Sequence, residues 1–241
     1  MVNTEKRRKT LTAIVMIAPF LIAYATVFAY PVYKIFALSF TDTPLVGEGQ
    51  WVGFDNYVKL FHQKLFYTSV WNTGYFVVLT VIPNTLIGLG LALMVVRLKG
   101  WMQSLVLVLF FIPYILPVSV VTQIWKWVLD QQFGIAQFVI EAVTGSRVSV
   151  FRDPVWAMPM VALVTVWWTN GFNLLLFIAG LRNIPNDYYE AAMLDGATRW
   201  QCFKRITWPL IWPVTALVLT LQLILQLKIF DQVYLLTEGG P

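Results

Sequence analysis

The chain of 241 residues is 59% hydrophobic and only 12% charged, with a mean hydropathy of +0.70, whereas soluble domains are about 45–50% apolar and about 25% charged. A water-soluble fold of this length cannot bury so much apolar surface, so composition places the chain in a membrane. The formal charge of +5 does not point to a nucleic-acid partner, because the basic residues lie between apolar stretches, where they orient a chain in the bilayer.

Five stretches reach the roughly 20 residues that cross a bilayer core as a helix, and helix is required because lipid offers no partners to open backbone groups. The first covers residues 11–40; it runs past signal-peptide length without a small-residue cleavage site and reads as a retained span. A turn-rich segment, 41–65, follows, with a short interfacial helix predicted at Asn56–Phe61. The second span, 66–96, contains Pro83, with Asn84 beside it to satisfy the carbonyl that proline frees. The third, 101–129, contains Pro113 and Pro117, which predict kinks. After a second turn-rich segment, 130–154, come the fourth and fifth spans, 155–181 and 208–230.

Ten of the seventeen Lys and Arg, including Lys6, Arg7, Arg97, Arg182 and Arg205, fall on the side that holds the N-terminus, which the positive-inside rule makes cytoplasmic. The single Cys202 excludes an internal disulfide, lies on that side, and reads as a small buried hydrophobe. Lys126 at the outer end of span three predicts a snorkelling side chain, and Lys228 with Asp231 a possible pair. The lone His62 has no companions at metal-ligand spacing. The chain stops on the turn dipeptide Gly240-Pro241, which ordinarily leads into another element.

The cytoplasmic stretch "EAAMLDGATRW", Glu190–Trp200, is out of keeping with its surroundings. Asn186 or Asp187, after Pro185, is placed to cap a helix, with Glu190 three residues after Asp187 completing a capping-box pattern. Ala191, Ala192 and Ala197 keep that helix shallow, and Gly196 breaks it or admits a close backbone approach. Physical chemistry alone favours a solvated connector here; docking into a partner's cleft is the competing reading.

Polar side chains inside spans are expensive and are functional candidates. Gln222 and Gln226, four apart, share one helical face, with Ile229 following along it. "WWTNGFN" sets Trp168, Thr169, Asn170, Phe172 and Asn173 around Gly171. Aromatic faces mixed with hydrogen-bonding groups suit a sugar, whose C–H faces stack while its hydroxyls pair; interhelical glue is the alternative.

"YYEAAMLDGATRWQCFKRITWPLI" resembles the EAA loop of permease subunits of binding-protein-dependent ABC importers, with Glu190-Ala191-Ala192, Asp195-Gly196, Ile206 and Pro209 in place and Trp208 where leucine is usual. "GLRNIPNDYYEAA", "FDQVYLLTEGGP" and "VGFDNYVKLF" are similar to the maltose-permease branch, so the resemblance covers nearly the whole chain. It implies an all-α integral membrane fold, the transmembrane domain of a type I ABC importer, as one domain over 1–241, with a sixth span beyond Pro241. It implies that the segment 186–200 contains the coupling helix, with Glu190, Ala191, Ala192, Asp195 and Gly196 meeting an ATPase, and that Trp168, Thr169, Asn170, Phe172, Gln222, Gln226 and Ile229 line the substrate pathway. The implied partners are a second permease, expected to be a different chain, two copies of an ABC ATPase and a soluble substrate-binding protein outside a bacterial inner membrane. ATP and Mg belong to the ATPase; this sequence has no GxxxxGK[ST] loop to hold them. A secondary transporter would need charged coupling residues deep in the spans, and a membrane enzyme a nucleophile or working carboxylate pair; the sequence favours neither.

Overall fold

A computed structural model describes residues 2–44, 47 and 49–240. The chain divides into two compact units, residues 1–70 and 71–241.

In the first unit, α1 (Val2–Tyr24), a π-helical turn (Ala25–Ala29) and α2 (Tyr30–Leu38) form one continuous helix. Its window of greatest hydropathy has no residue buried within the chain, as befits a helix whose solvent is lipid. The π-turn ends two residues before Pro31, which has no N–H to donate and would crowd the carbonyl of a regular turn. Beyond α2, β1 (Thr41–Asp42) pairs antiparallel with β2 (Gln50–Trp51), and α3 (Asp55–His62) confirms the short helix expected near Asn56–Phe61. Asn56 Nδ2 donates to the carbonyls of Ser39 and Thr41, tying α3 to the end of α2. Phe40 packs among Trp51, Phe54 and Tyr57.

The second unit is a helical bundle. Its elements are the body of α4 (Lys64–Val95), then α5 (Trp101–Ile115), α6 (Val118–Val128), α7 (Gln137–Thr144) and α8 (Ala157–Arg182). They are followed by α9 (Asn186–Leu194), α10 (Arg199–Cys202), a second π-turn (Phe203–Thr207), α11 (Trp208–Leu227) and α12 (Asp231–Thr237). Spans two, four and five agree with the sequence reading to within a few residues. The stretch read as span three is not one straight helix: its halves α5 and α6 meet at a 102° bend. Pro117 caps α6 in an extended conformation, and the residue before it, Leu116, is extended too, as a pre-proline residue prefers. Pro113 lies inside α5 without ending it.

The packing centre is α8, whose buried positions point to several sides: Val161 and Thr165 on one part of its length, Leu174, Phe177 and Ile178 on another. One apolar cluster joins Leu89, Ala92 and Val95 of α4 to Leu174, Phe177 and Ile178 of α8 and to Ile211 and Val218 of α11. A second gathers Phe76, Val121, Val161, Val164 and Leu236. Between them along α8 lies a polar layer, residues Thr165–Asn173. Small residues set the helix spacing. A Cβ on Gly171 would strike the backbone carbonyl of Phe110 in α5, and one on Gly180 would meet Ile211 and Val214 of α11.

Lys126 Nζ lies 3.1 Å from Glu238 Oε1, fastening α6 to the end of α12. Arg147 pairs with Glu141, while Lys228 and Asp231 form no ion pair among the described residues.

Candidate functional site

Two places combine exposed or polar chemistry with the residues singled out by sequence: the connection between α8 and α11, and the polar layer between the two apolar clusters.

In the connection, α9 begins where expected, at Asn186, but the expected capping box is absent. Pro185 is the N-cap, with no side-chain hydrogen bond, so Asn186 and Asp187 already lie inside the first turn, where Asp187 meets the helix dipole favourably. The capping box forms instead at α10: Gln201 N–H donates to Thr198 Oγ1 (3.3 Å), and Thr198 N–H donates to Gln201 Oε1 (2.7 Å). The signal for it, "TRWQ", stands in the sequence. α9 ends in a Schellman motif, with Gly196 at φ +76° and the Ala197 and Gly196 N–H groups donating to the carbonyls of Ala192 and Met193.

Glu190, Ala191, Asp195 and Gly196 are exposed and Ala192 is half-buried. Beside them Met193 and Leu194 are 61% and 90% exposed. Sequence reading passed over these two because an apolar pair in a helix ordinarily faces inward. Between α9 and the second π-turn is a cleft of about 330 Å3 lined by Asp195, Gly196, Gln201, Cys202 and Arg205 among others. Cys202 is a free, buried thiol.

In the polar layer Asn84 of α4 is the hub. Its Nδ2 donates to Thr169 Oγ1 of α8 (3.0 Å) and to Gln222 Oε1 of α11 (3.4 Å). It therefore does not cap the carbonyl freed by Pro83, as expected, but reaches across to two other helices. Asn170 Nδ2 donates to the backbone carbonyl and to Oδ1 of Asn84 (3.1 and 3.2 Å). Gln222 Nε2 donates to Asn173 Oδ1 (2.9 Å), and Gln226 Nε2 donates to Gln222 Oε1 (3.0 Å). All six side chains are buried, yet Asn170 Oδ1 and Asn173 Nδ2 have no partner. Buried amide atoms without partners are costly in an apolar surround, so the layer retains unused hydrogen-bonding capacity.

The candidate pathway residues fall into three places. Thr169, Asn170, Gln222 and Gln226 meet in the amide layer. Trp168 and Phe172, four apart, look toward α5: Trp168 Nε1 donates to the Leu116 carbonyl at the bend (3.2 Å), and Phe172 stacks on Tyr114 with ring centroids 5.2 Å apart. Ile229 does not continue the Gln222–Gln226 face. α11 stops at Leu227, and Ile229, half-buried beyond it, packs on the second apolar cluster. Asn173, from the "WWTNGFN" cluster, joins the layer through Gln222; Asn84 joins it although its sequence reading was local, the detectable signal being an amide in mid-span.

These features, apolar spans around a buried amide layer and an exposed small-residue helix on one connection, define a polytopic membrane permease. The model of the family described as binding-protein-dependent transport system inner membrane component matches residues 84–241. The chain is 33% identical over 233 residues to the sulfoquinovosyl glycerol transport system permease protein SmoG of Agrobacterium fabrum, a match covering 96% of this chain and 75% of that protein. It is also 33% identical over 238 residues to the trehalose/maltose transport system permease protein MalF of Thermococcus litoralis, covering 98% and 80% respectively. Its fold is similar to that of a chain in the crystal structure of a bacterial alginate ABC transporter in complex with alginate pentasaccharide-bound periplasmic protein. That match has a TM-score of 0.78 and 25% identity, over 98% of this chain and 82% of the other. The chain belongs to the family of binding-protein-dependent transport system inner membrane components.

Proposed function

We propose that this chain is the membrane-spanning subunit of an ATP-driven importer that moves a sugar or sugar derivative into the cytoplasm by alternating access. The substrates printed in the names of SmoG and MalF, a sulfoquinovosyl glycerol and trehalose or maltose, support the sugar class. A binding protein outside delivers the substrate; a second, different permease completes the pathway; two ATPase subunits, which hold ATP and Mg, sit on the cytoplasmic side with the N-terminus. The chain itself carries no hydrolytic step. The periplasmic protein in the alginate transporter complex supports such an assembly.

The observation that carries the reading is α9. A helix exposing the apolar side chains of Met193 and Leu194 beside Glu190 at a connection between spans gains by being covered, and its small residues let a cleft close on it. Glu190, Ala191, Ala192, Asp195 and Gly196 form the surface that the ATPase grips. Within the bundle, Thr169, Asn170, Gln222 and Gln226 exchange their hydrogen bonds to Asn84, to Asn173 and to each other for those of sugar hydroxyls, so a sugar enters without leaving amides unpaired. Trp168 and Phe172, on the α5 side of α8, and Ile229, beyond the end of α11, supply ring and apolar surface apart from the amide layer.

The test is co-expression with the neighbouring genes and purification through this chain. An ATPase is expected to copurify, and proteoliposomes of the complex with its binding protein to take up trehalose, maltose or sulfoquinovosyl glycerol only with ATP. Glu190→Ala combined with Gly196→Asp is expected to abolish ATP-driven uptake; uptake without ATP by the chain alone would sink the proposal.

A further inference from the structure

We infer that the Tyr189–Thr207 hydrogen bond and the π-helical turn on which it lands carry displacement of α9 into α11. The inference rests on the importer reading and names the link through which its docking helix reaches the amide layer. Three ties join α9 to the bundle. Two are the chain itself, at Pro185 and through Asp195–Thr198 into α10. The third, and the one that reaches the π-turn from the side, is Tyr189, half-buried against the first apolar cluster, its hydroxyl 2.9 Å from Thr207 Oγ1. Thr207 is only 5% exposed, so the contact is shielded from competing water and lipid. Leu194, Met193 and Glu190 on the same short helix are exposed; a force applied to them is resisted inside the bundle at Tyr189.

Thr207 is the last residue of the π-turn Phe203–Thr207, closed by the Trp208 N–H donating to the Phe203 carbonyl. Pro209 follows two residues after the turn, as Pro31 follows the first one. The wider turn accommodates a ring that an α-turn would crowd, and π-turns are places where a helix changes register at modest cost. From Thr207 the helix continues, with Pro213 inside it, to Gln222, about 22 Å at 1.5 Å per residue, and Gln222 bonds to Asn84 and Asn173 on the two neighbouring helices. A pull at Tyr189 is thus applied at a deformable joint at one end of α11, and the amide layer lies toward its other end. Tyr189 and Thr207 are positioning residues; neither touches the proposed substrate.

The experiment uses the assembled complex in a Cys202→Ser background, with spin labels on Leu163→Cys in α8 and Leu223→Cys in α11, both exposed. The probe is ATP with vanadate, which needs no knowledge of the sugar. The inter-label distance is expected to change on trapping. Tyr189→Phe, which keeps the ring and removes one oxygen, and Thr207→Val are each expected to cut that change to about half or less. The double substitution is expected to do no more than either single one, and the ATPase to remain bound throughout. An undiminished distance change in Tyr189→Phe would overturn the inference while leaving the importer reading intact. Loss of the ATPase in Tyr189→Phe would also overturn it, by making Tyr189 a docking contact. Failure of the parent complex to assemble, or to respond to ATP and vanadate, would overturn the importer reading and this inference together.

Discussion

Two glycines show how local geometry decides the consequence of one added methyl group. At Gly171 a Cβ meets the Phe110 carbonyl, backbone that cannot move without parting α5 from α8. Gly171→Ala is expected to destabilise the detergent-solubilised protein by about 2–3 kcal/mol, the usual cost of overpacking, read as a fall in thermal unfolding temperature. At Gly196 nothing lies within 4 Å of a Cβ, but φ is +76°. Gly196→Ala is expected to cost about 1 kcal/mol, from the left-handed backbone alone, and to loosen the end of α9 without disturbing the spans. Glu238 adds a pH-dependent case. It sits at φ 59°, and the hydrogen bond from Lys126, then the charges of Lys126 and Arg152, hold its carboxyl below the usual carboxylate value. Because the folded-state pKa is lowered, the stabilisation is present above about pH 4.5, the unfolded value, and is lost as pH falls through the lower folded value. The unfolding temperature is expected to drop over that acidic window in the parent and to drop less in Glu238→Gln, with high salt narrowing the difference.

Helix pairing turns these local facts into a site. Asn84, Thr169 and Gln222 come from three helices and are 85 and 138 residues apart in the two bonds that join them. Interhelical hydrogen bonds in membranes average about 0.6 kcal/mol and reach about 1.7, so Asn84→Leu, which removes several, is expected to lower stability by about 1–2 kcal/mol. A double-mutant cycle of Asn84→Leu with Gln222→Leu is expected to show coupling of about 0.5 kcal/mol or more, since each removes the other's partner; strict additivity would mean that the two amides do not interact in the bilayer. The bend between α5 and α6 explains the position of Trp168. Pro117 leaves the Leu116 carbonyl outside any helix, and the indole N–H takes it up. Trp168→Phe leaves that carbonyl without the donor and is expected to cost about 1 kcal/mol, with Trp168→His giving partial rescue.

For the molecule as a whole, the topology of the proposal has its own test. In a Cys202→Ser background, a cysteine at Leu194, 90% exposed, is expected to react with a membrane-impermeant maleimide only from the cytoplasmic face, and one at Val143, 78% exposed, only from the outer face. The reverse pattern would invert the orientation and place α9 where no ATPase reaches it. The apolar helices other than the bent α5–α6 pair, the short helix near Asn56, the start of α9 at Asn186 and its end before Gly196 were legible in the sequence. Hydropathy, helix-stop signals and proline positions are sums over neighbouring residues, and these elements depend on little else. The capping box was misplaced from Thr198–Gln201 to Asp187–Glu190 because two segments offer the same pattern and only the backbone selects between them.

The membrane class, the number of apolar stretches and the EAA segment follow from residue type and spacing alone, because burial in lipid and helix formation are imposed on each stretch separately. The membership of the amide layer follows from which helix faces meet. Gln222 and Gln226 share a face by their spacing, but Asn84 and Asn173 join them only because Gly88 and Gly180 let α4 and α11 come close to α8. Likewise Trp168 and Phe172 part from Thr169 and Asn170 because α5 packs on one side of α8 and α4 with α11 on the other. Contacts between residues so far apart in the chain depend on helix rotation and distance, which no local pattern encodes.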